Sequence, residues 1–162
     1  MKTVWVVNGP NLNLLGQRET LVYGTQSLSD INKMLLEEGE RLAIDVTCFQ
    51  SNHEGALIEK IHEAASATQG LIINPGGYTH TSVALRDALA AYHHPIIEVH
   101  LSNLFAREPF RHHSYVSPVA TAVICGLQGE GYRLALLALA KLLASTNSPA
   151  NTAGNRFLHQ GA

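Results

Sequence analysis

Short apolar runs and amphipathic stretches alternate along this chain. Thr3-Val4-Trp5-Val6-Val7 is rich in β-branched residues and stops at Asn8-Gly9-Pro10, which predicts a central strand. Ile44–Gln50 is a second strand, Leu71-Ile72-Ile73 a third, Pro95–His100 a fourth and Val119–Cys125 a fifth. The Leu71 run has no polar alternation, as expected of a strand covered on both faces. Between the strands the period lengthens. A helix opens at Ser27, with Asp30 placed for a capping box; Leu28, Ile31, Leu35 and Leu42 face inward and Lys33, Glu37, Glu38 and Glu40 face water. A second helix spans about 54–67 on Leu57, Ile61, Ala64 and Ala65. A third starts at Val83 on Leu85, Ala88, Leu89 and Tyr92, and a last one spans Tyr132–Leu143. Five strands interleaved with helices predict an α/β fold: a doubly wound, five-stranded parallel sheet of the flavodoxin-like order 2-1-3-4-5.

In such a sheet every strand-to-helix loop leaves from one edge, where ligands bind. The loops are therefore the place to look for chemistry. Asn74-Pro75-Gly76-Gly77 ends the third strand in a sharp turn and Tyr78–Ser82 follows, rich in hydrogen-bonding groups. This turn, with the helix N-terminus behind it, is the expected floor of a site suited to an anion. The segment from Asn11 to Gly24 has no sustained period and carries Asn11, Asn13, Arg18, Glu19 and Tyr23; long loops of this kind are usually functional. His53 in the second loop, His80 in the third, and His100 with Ser102 after the fourth strand join the same edge. The polar loop from Phe105 to Ser114 adds Arg107 and Arg111. Arginines beside amides and imidazoles fit a small, anionic, hydroxylated ligand.

Composition narrows the chemistry. The chain has 162 residues and a formal net charge of -2, so one domain over 1–144 is expected and no footprint for nucleic acid appears. No apolar run reaches membrane-spanning length, and Met1-Lys2-Thr3 leads straight into a strand; a cytoplasmic protein without a signal peptide is expected. Cys48 and Cys125 lie in apolar runs, as buried thiols do. After Ala144 the composition shifts to Ser, Thr, Asn, Gly and Pro, so 145–162 reads as a mobile tail. His112-His113 is a poor metal pair, since neighbours on a loop seldom supply two ligands and no acidic or thiolate cluster completes a set. Lys2, Lys33, Lys60 and Lys141 all fall outside the loop edge, which disfavours a Schiff base. Gly-x-Ser-x-Gly, Walker and Gly-x-Gly-x-x-Gly motifs are absent. Acid–base chemistry by tyrosine and histidine, with arginine supplying charge, is what remains. A flavin-carrying electron-transfer protein and a non-catalytic binding protein of the same fold are the alternatives; the first would be yellow and the second would show no turnover.

Four ungapped stretches then stand together: NGPNLNLLGQRE with Tyr23-Gly24, FQSNHEG from Phe49, NPGGYTHTSVALRDAL from Asn74, and EVHLSN followed by R-x-x-x-R-x-x-S from Glu98 to Ser114. In this order they closely resemble the type II 3-dehydroquinate dehydratases, over roughly 3–143. The resemblance implies a cofactor-independent lyase that reversibly dehydrates 3-dehydroquinate to 3-dehydroshikimate by anti-elimination through an enolate, in aromatic biosynthesis or quinate breakdown. It assigns Tyr23 as base, Arg18 as the group that keeps Tyr23 ionised, His100 as acid, Glu98 as the partner of His100, and Asn11 as holder of a water at the enolate oxygen. Asn74, His80, Leu101, Ser102 and Arg111 correspond to the substrate-binding set; on charge alone, Arg107 is a second candidate for favouring the phenolate of Tyr23. Asp87 corresponds to a residue lent by a neighbouring subunit, in a homo-oligomer that the resemblance makes a dodecamer built from trimers.

Overall fold

The computed structural model describes residues 1–17, 21 and 25–145. Its strands are β1 (Lys2–Asn8), β2 (Ile44–Gln50), β3 (Gly70–Asn74), β4 (Ile96–His100) and β5 (Ala122–Cys125). Its helices are α1 (Leu28–Leu42), α2 (Glu54–Ala67), α3 (Val83–Ala90) and α4 (Glu130–Ser145). All strand pairings are parallel and the order is β2-β1-β3-β4-β5, the flavodoxin-like arrangement expected from the sequence.

Alternation along each strand splits the core between two faces. Val4, Val6, Ile72, Ile97 and Val99 point to one side, where Ile31 and Leu35 of α1 and Leu136 and Leu139 of α4 cover them. Trp5, Val7, Leu71, Ile73 and Ile96 point to the other, under Leu57 and Ile61 of α2 and Leu85 and Leu89 of α3. Burial on both sides explains why β3 and β4 read as nearly unbroken apolar runs. Among the described residues no helix is long and apolar enough to cross a membrane.

The capping box at Ser27 forms in both directions: Ser27 Oγ accepts from the Asp30 amide, and Asp30 Oδ2 accepts from the Ser27 amide at 3.0 Å. Several expectations need correction. Glu38 lies on the covered side of α1, paired with Arg41 at 3.0 Å, because a rim carboxylate can bury its stem while it meets a cation. Ala65 is exposed, since the inward stripe of α2 is only three residues wide. α3 ends at Ala90; Tyr92 is still buried but lies past the helix, its hydroxyl 2.7 Å from that of Thr68. β5 begins at Ala122 rather than Val119, because a 3₁₀ turn with Pro118 occupies Ser117–Val119. Cys48 packs at the core margin, where burial pushes its thiol up to about 11. Ser145 still belongs to α4, and the rest of the expected tail, 146–162, lies outside the described residues.

β1 and β3 are neighbours whose connections leave in opposite directions, and their ends, Asn8 and Asn74, are in register. The two turns that follow cross at close range. A Cβ on Gly9 would sit 2.4 Å from the carbonyl oxygen of Pro75, and one on Gly76, at φ +58°, would sit 3.1 Å from that of Pro10. The Gly9 amide also donates to the Asn74 carbonyl at 2.8 Å. A Gly9→Ala variant should therefore push two backbones apart and lose about 2 kcal/mol or more of stability. Urea unfolding at equilibrium measures this, and an unchanged midpoint would show that the crossing has slack.

Candidate active site

The crossing turns form one wall of a cleft of about 250 Å³. Pro10, Asn11 and Leu12 enter from the loop after β1, and Asn74, Gly76, Gly77 and His80 from the loop after β3. His100, Leu101 and Ser102 come from the end of β4, followed by Leu104, Arg107 and Arg111. Of the residues singled out in the sequence, Asn11, Asn74, His80, His100, Leu101, Ser102, Arg107 and Arg111 thus meet around one space. Arg18 and Tyr23 lie outside the described residues.

Two expectations fail on topology. His53 does not line the cleft: β2 lies beyond β1, away from β3 and β4, and His53 sits exposed at the start of α2. That loop contributes indirectly, since Asn52 Oδ1 accepts the Asn11 amide at 2.9 Å and holds Asn11 in a left-handed conformation at φ 66°. The N-terminus of α3 is not the floor either. A 3₁₀ turn, Gly76–His80, intervenes, and Ser82 Oγ takes the Leu85 amide at 2.8 Å, so the helix start is capped by its own chain. Asp87 stands apart from the cleft lining, 64% exposed and paired with Arg86 at 2.9 Å.

The donors are held from behind. Asn74, which is buried, gives one Nδ2 proton to the Tyr132 hydroxyl at 2.9 Å and receives the Gly76 amide on Oδ1 at 3.1 Å. Tyr132 in turn donates to Asn8 Oδ1 at 2.7 Å. A tyrosine from α4 thereby ties the ends of β1 and β3 together, and burial raises its phenol far above the ordinary range. Neither Asn8 nor Tyr132 was singled out from the sequence; a hydroxyl inside an otherwise apolar helix face is the signal that was available.

β4 supplies a carboxyl–imidazole pair. His100 Nε2 and Glu98 Oε1 share a hydrogen bond at 2.7 Å; the two side chains are 5% and 0% exposed. The Gly126 amide donates to the His100 carbonyl at 3.2 Å and the Gln128 amide to the Leu101 carbonyl at 2.9 Å, which pins the strand end. On the loop beyond, Arg107 Nη1 reaches Ser102 Oγ at 3.4 Å, and Glu108 Oε2 lies 2.8 Å from Arg111 Nε and 3.5 Å from Arg107 Nε. The Glu108 amide and then the Arg111 guanidinium hold that carboxyl below the usual carboxylate range. Among the described residues no group of three His, Cys, Asp or Glu side chains is placed to hold a metal ion.

The arrangement defines a flavodoxin-like α/β protein whose sheet edge carries a polar, cation-bearing cleft with a carboxylate-backed imidazole. Its relatives narrow this further. The family profile described as dehydroquinase class II matches residues 2–140. The 3-dehydroquinate dehydratase of Gloeothece citriformis is 56% identical over 141 residues, 87% of this chain and 93% of that protein. That of Ruegeria pomeroyi is 51% identical over 144 residues, covering 89% and 97%. The crystal structure of type II dehydroquinase from Propionibacterium acnes superposes with a TM-score of 0.85 at 45% identity, over 87% of this chain and 97% of that one. The chain belongs to the class II dehydroquinase family.

His80 shows how the cleft tunes a group. Burial lowers its pKa, the Nδ1–H bond to the His113 carbonyl at 2.7 Å opposes that, and the His100 and Arg111 charges lower it further. Its midpoint should fall below the unperturbed value of about 6.5. The stability contribution of a depressed histidine is present above that unfolded value and is lost as pH falls through the folded one. An NMR titration of the imidazole checks this, and a midpoint above the free value would mean that the His113 bond outweighs desolvation.

Proposed function

We propose that this chain is a 3-dehydroquinate dehydratase of the type II class, a lyase that interconverts 3-dehydroquinate and 3-dehydroshikimate. The observation that carries the reading is the His100–Glu98 pair at the wall of a cleft bearing Arg107 and Arg111, in a chain of this family. The forward reaction removes a proton from the carbon beside the ketone and a hydroxyl from the next carbon. Tyr23, as phenolate, takes the proton; the electron pair passes to the ketone oxygen as an enolate, then expels the hydroxyl, which leaves as water with a proton from His100. Asn11 holds a water at the enolate oxygen, where preorganised donors are most effective.

A free tyrosine has a pKa near ~10 and is mostly protonated at neutral pH. Neighbouring guanidinium groups favour its anion, so Arg18, with Arg107 as a second cation, sets the base. His100 acts as acid with Glu98 behind it. Asn74, His80, Ser102 and the Leu101 backbone orient the ring, and Arg111 binds its anionic and hydroxyl groups. The chemistry forms no imine, in keeping with the placement of the lysines outside the cleft.

Mixing the protein with 3-dehydroquinate should produce the ultraviolet absorbance of a conjugated enone, and borohydride with substrate should leave activity intact. No absorbance change would overturn the reading. Arg18→Ala should chiefly lower kcat, on the order of 10²-fold or more, whereas Arg111→Ala should chiefly raise KM. Equal effects on both constants in both variants would refute the separate roles.

The same reading makes the protein a homo-oligomer, a dodecamer built from trimers, in which Asp87 of one subunit completes the site of its neighbour. Its exposed carboxylate, away from the cleft of its own chain, is what such sharing requires. Light scattering should return the mass of twelve chains, and a monomer with full activity would exclude it.

A further inference from the structure

Glu98 lies within the sheet with no exposure, and its carboxylate has three hydrogen-bond partners. His100 Nε2 and Ser114 Oγ meet Oε1, at 2.7 and 3.1 Å, and Ser117 Oγ meets Oε2 at 2.5 Å. Both serines sit in the segment that leads into β5, half-buried and outside the cleft lining. The direction of these bonds follows from counting protons. Ser114 Oγ already accepts the Val116 amide at 3.1 Å and the Ser117 amide at 2.9 Å. A hydroxyl has one proton and two lone pairs, so the only proton of Ser114 is committed to Glu98. Ser117 spends its proton on Oε2. Hydroxyl donors bond a charged carboxylate more strongly than the neutral acid, so both serines favour the anion.

We propose that Ser114 and Ser117 are positioning residues for the acid step: they fix Glu98 as a carboxylate, and Glu98 in turn fixes His100 as the Nε2–H tautomer. Nδ1 is then the ring nitrogen that gains and gives up a proton on the cleft side. This rests on the reading of His100 as the acid. Without the Ser117 hydroxyl the buried carboxylate loses one of the donors that stabilise its charge, and the charge is relieved when Oε1 takes up a proton in the bond it shares with Nε2. A protonated Glu98 donates to Nε2, moves the ring proton to Nδ1 and leaves the neutral histidine in the wrong tautomer. Substrate contacts are untouched, so the defect falls on kcat.

Long-range ¹H–¹⁵N correlation on the imidazoles of the full-length protein reads the tautomer directly, with the His100 signals assigned by their loss in a His100→Gln variant. In the unmodified protein His100 should be Nε2–H when neutral. Ser117→Ala should introduce the Nδ1–H form and lower kcat about tenfold, with KM changed less than about twofold. Ser117→Thr, which keeps the hydroxyl, should restore both. Ser117→Ala is the cleaner variant, because Ser114 also closes the local turn through its two amide bonds. A neutral His100 in the Nδ1–H form in the unmodified protein overturns the proposal without any variant. So does a folded Ser117→Ala protein with unchanged tautomer and kcat. Failure of the acid assignment looks different: His100→Gln would keep full turnover while the tautomer shifts still followed the serines.

Discussion

The close crossing of two backbones where the sheet changes direction governs everything built on this edge. β1 and β3 end in register at Asn8 and Asn74, and the chains leaving them pass with no room for a side chain at Gly9. That contact closes one side of the cleft and sets the positions of Asn11 and Asn74. Tyr132 reinforces it from below by bonding both asparagines, so a helix that never touches the cleft determines where its amides stand. Such buried polar links are costly if half made and rigidifying when satisfied.

A second constraint comes from β4. A strand covered on both faces has little tolerance for charge, yet this one carries Glu98 and His100 two residues apart, on the same side. The structure accommodates the carboxylate by surrounding it with His100, Ser114 and Ser117. The cations are treated differently. Arg107 and Arg111 sit on a loop closed by short 3₁₀ turns and share Glu108, at the rim rather than in the sheet. The buried imidazole and the two guanidinium groups therefore line the same cleft from different elements, the first from the sheet and the others from the loop beyond it.

Much of this was legible in the amino-acid sequence. The strand order followed from five apolar runs separated by amphipathic stretches, since a parallel sheet needs crossovers and covered faces. The loop-edge rule then brought Asn11, Asn74, His80, His100, Ser102, Arg107 and Arg111 into one place without any contact being known. The same rule overreached at His53, because it ranks all loops alike while the sheet order moves the β2 loop one strand away. Glu38 and Ala65 were misplaced for a related reason: helical periodicity gives the angle of a residue on its own helix, not the width of the surface that covers it.

The sequence by itself determined the fold class, the edge that carries chemistry and most of the groups that line the cleft, because these depend on local patterns repeated along the chain. Only the tertiary structure decided which groups stand behind them. Asn8 and Tyr132 are 124 residues apart and meet through one hydrogen bond, and Ser117 reaches Glu98 across 19 residues. Contacts of that kind leave no periodic trace. They exist because close packing brings distant polar atoms together where water cannot satisfy them, and each must then find its partner in the protein.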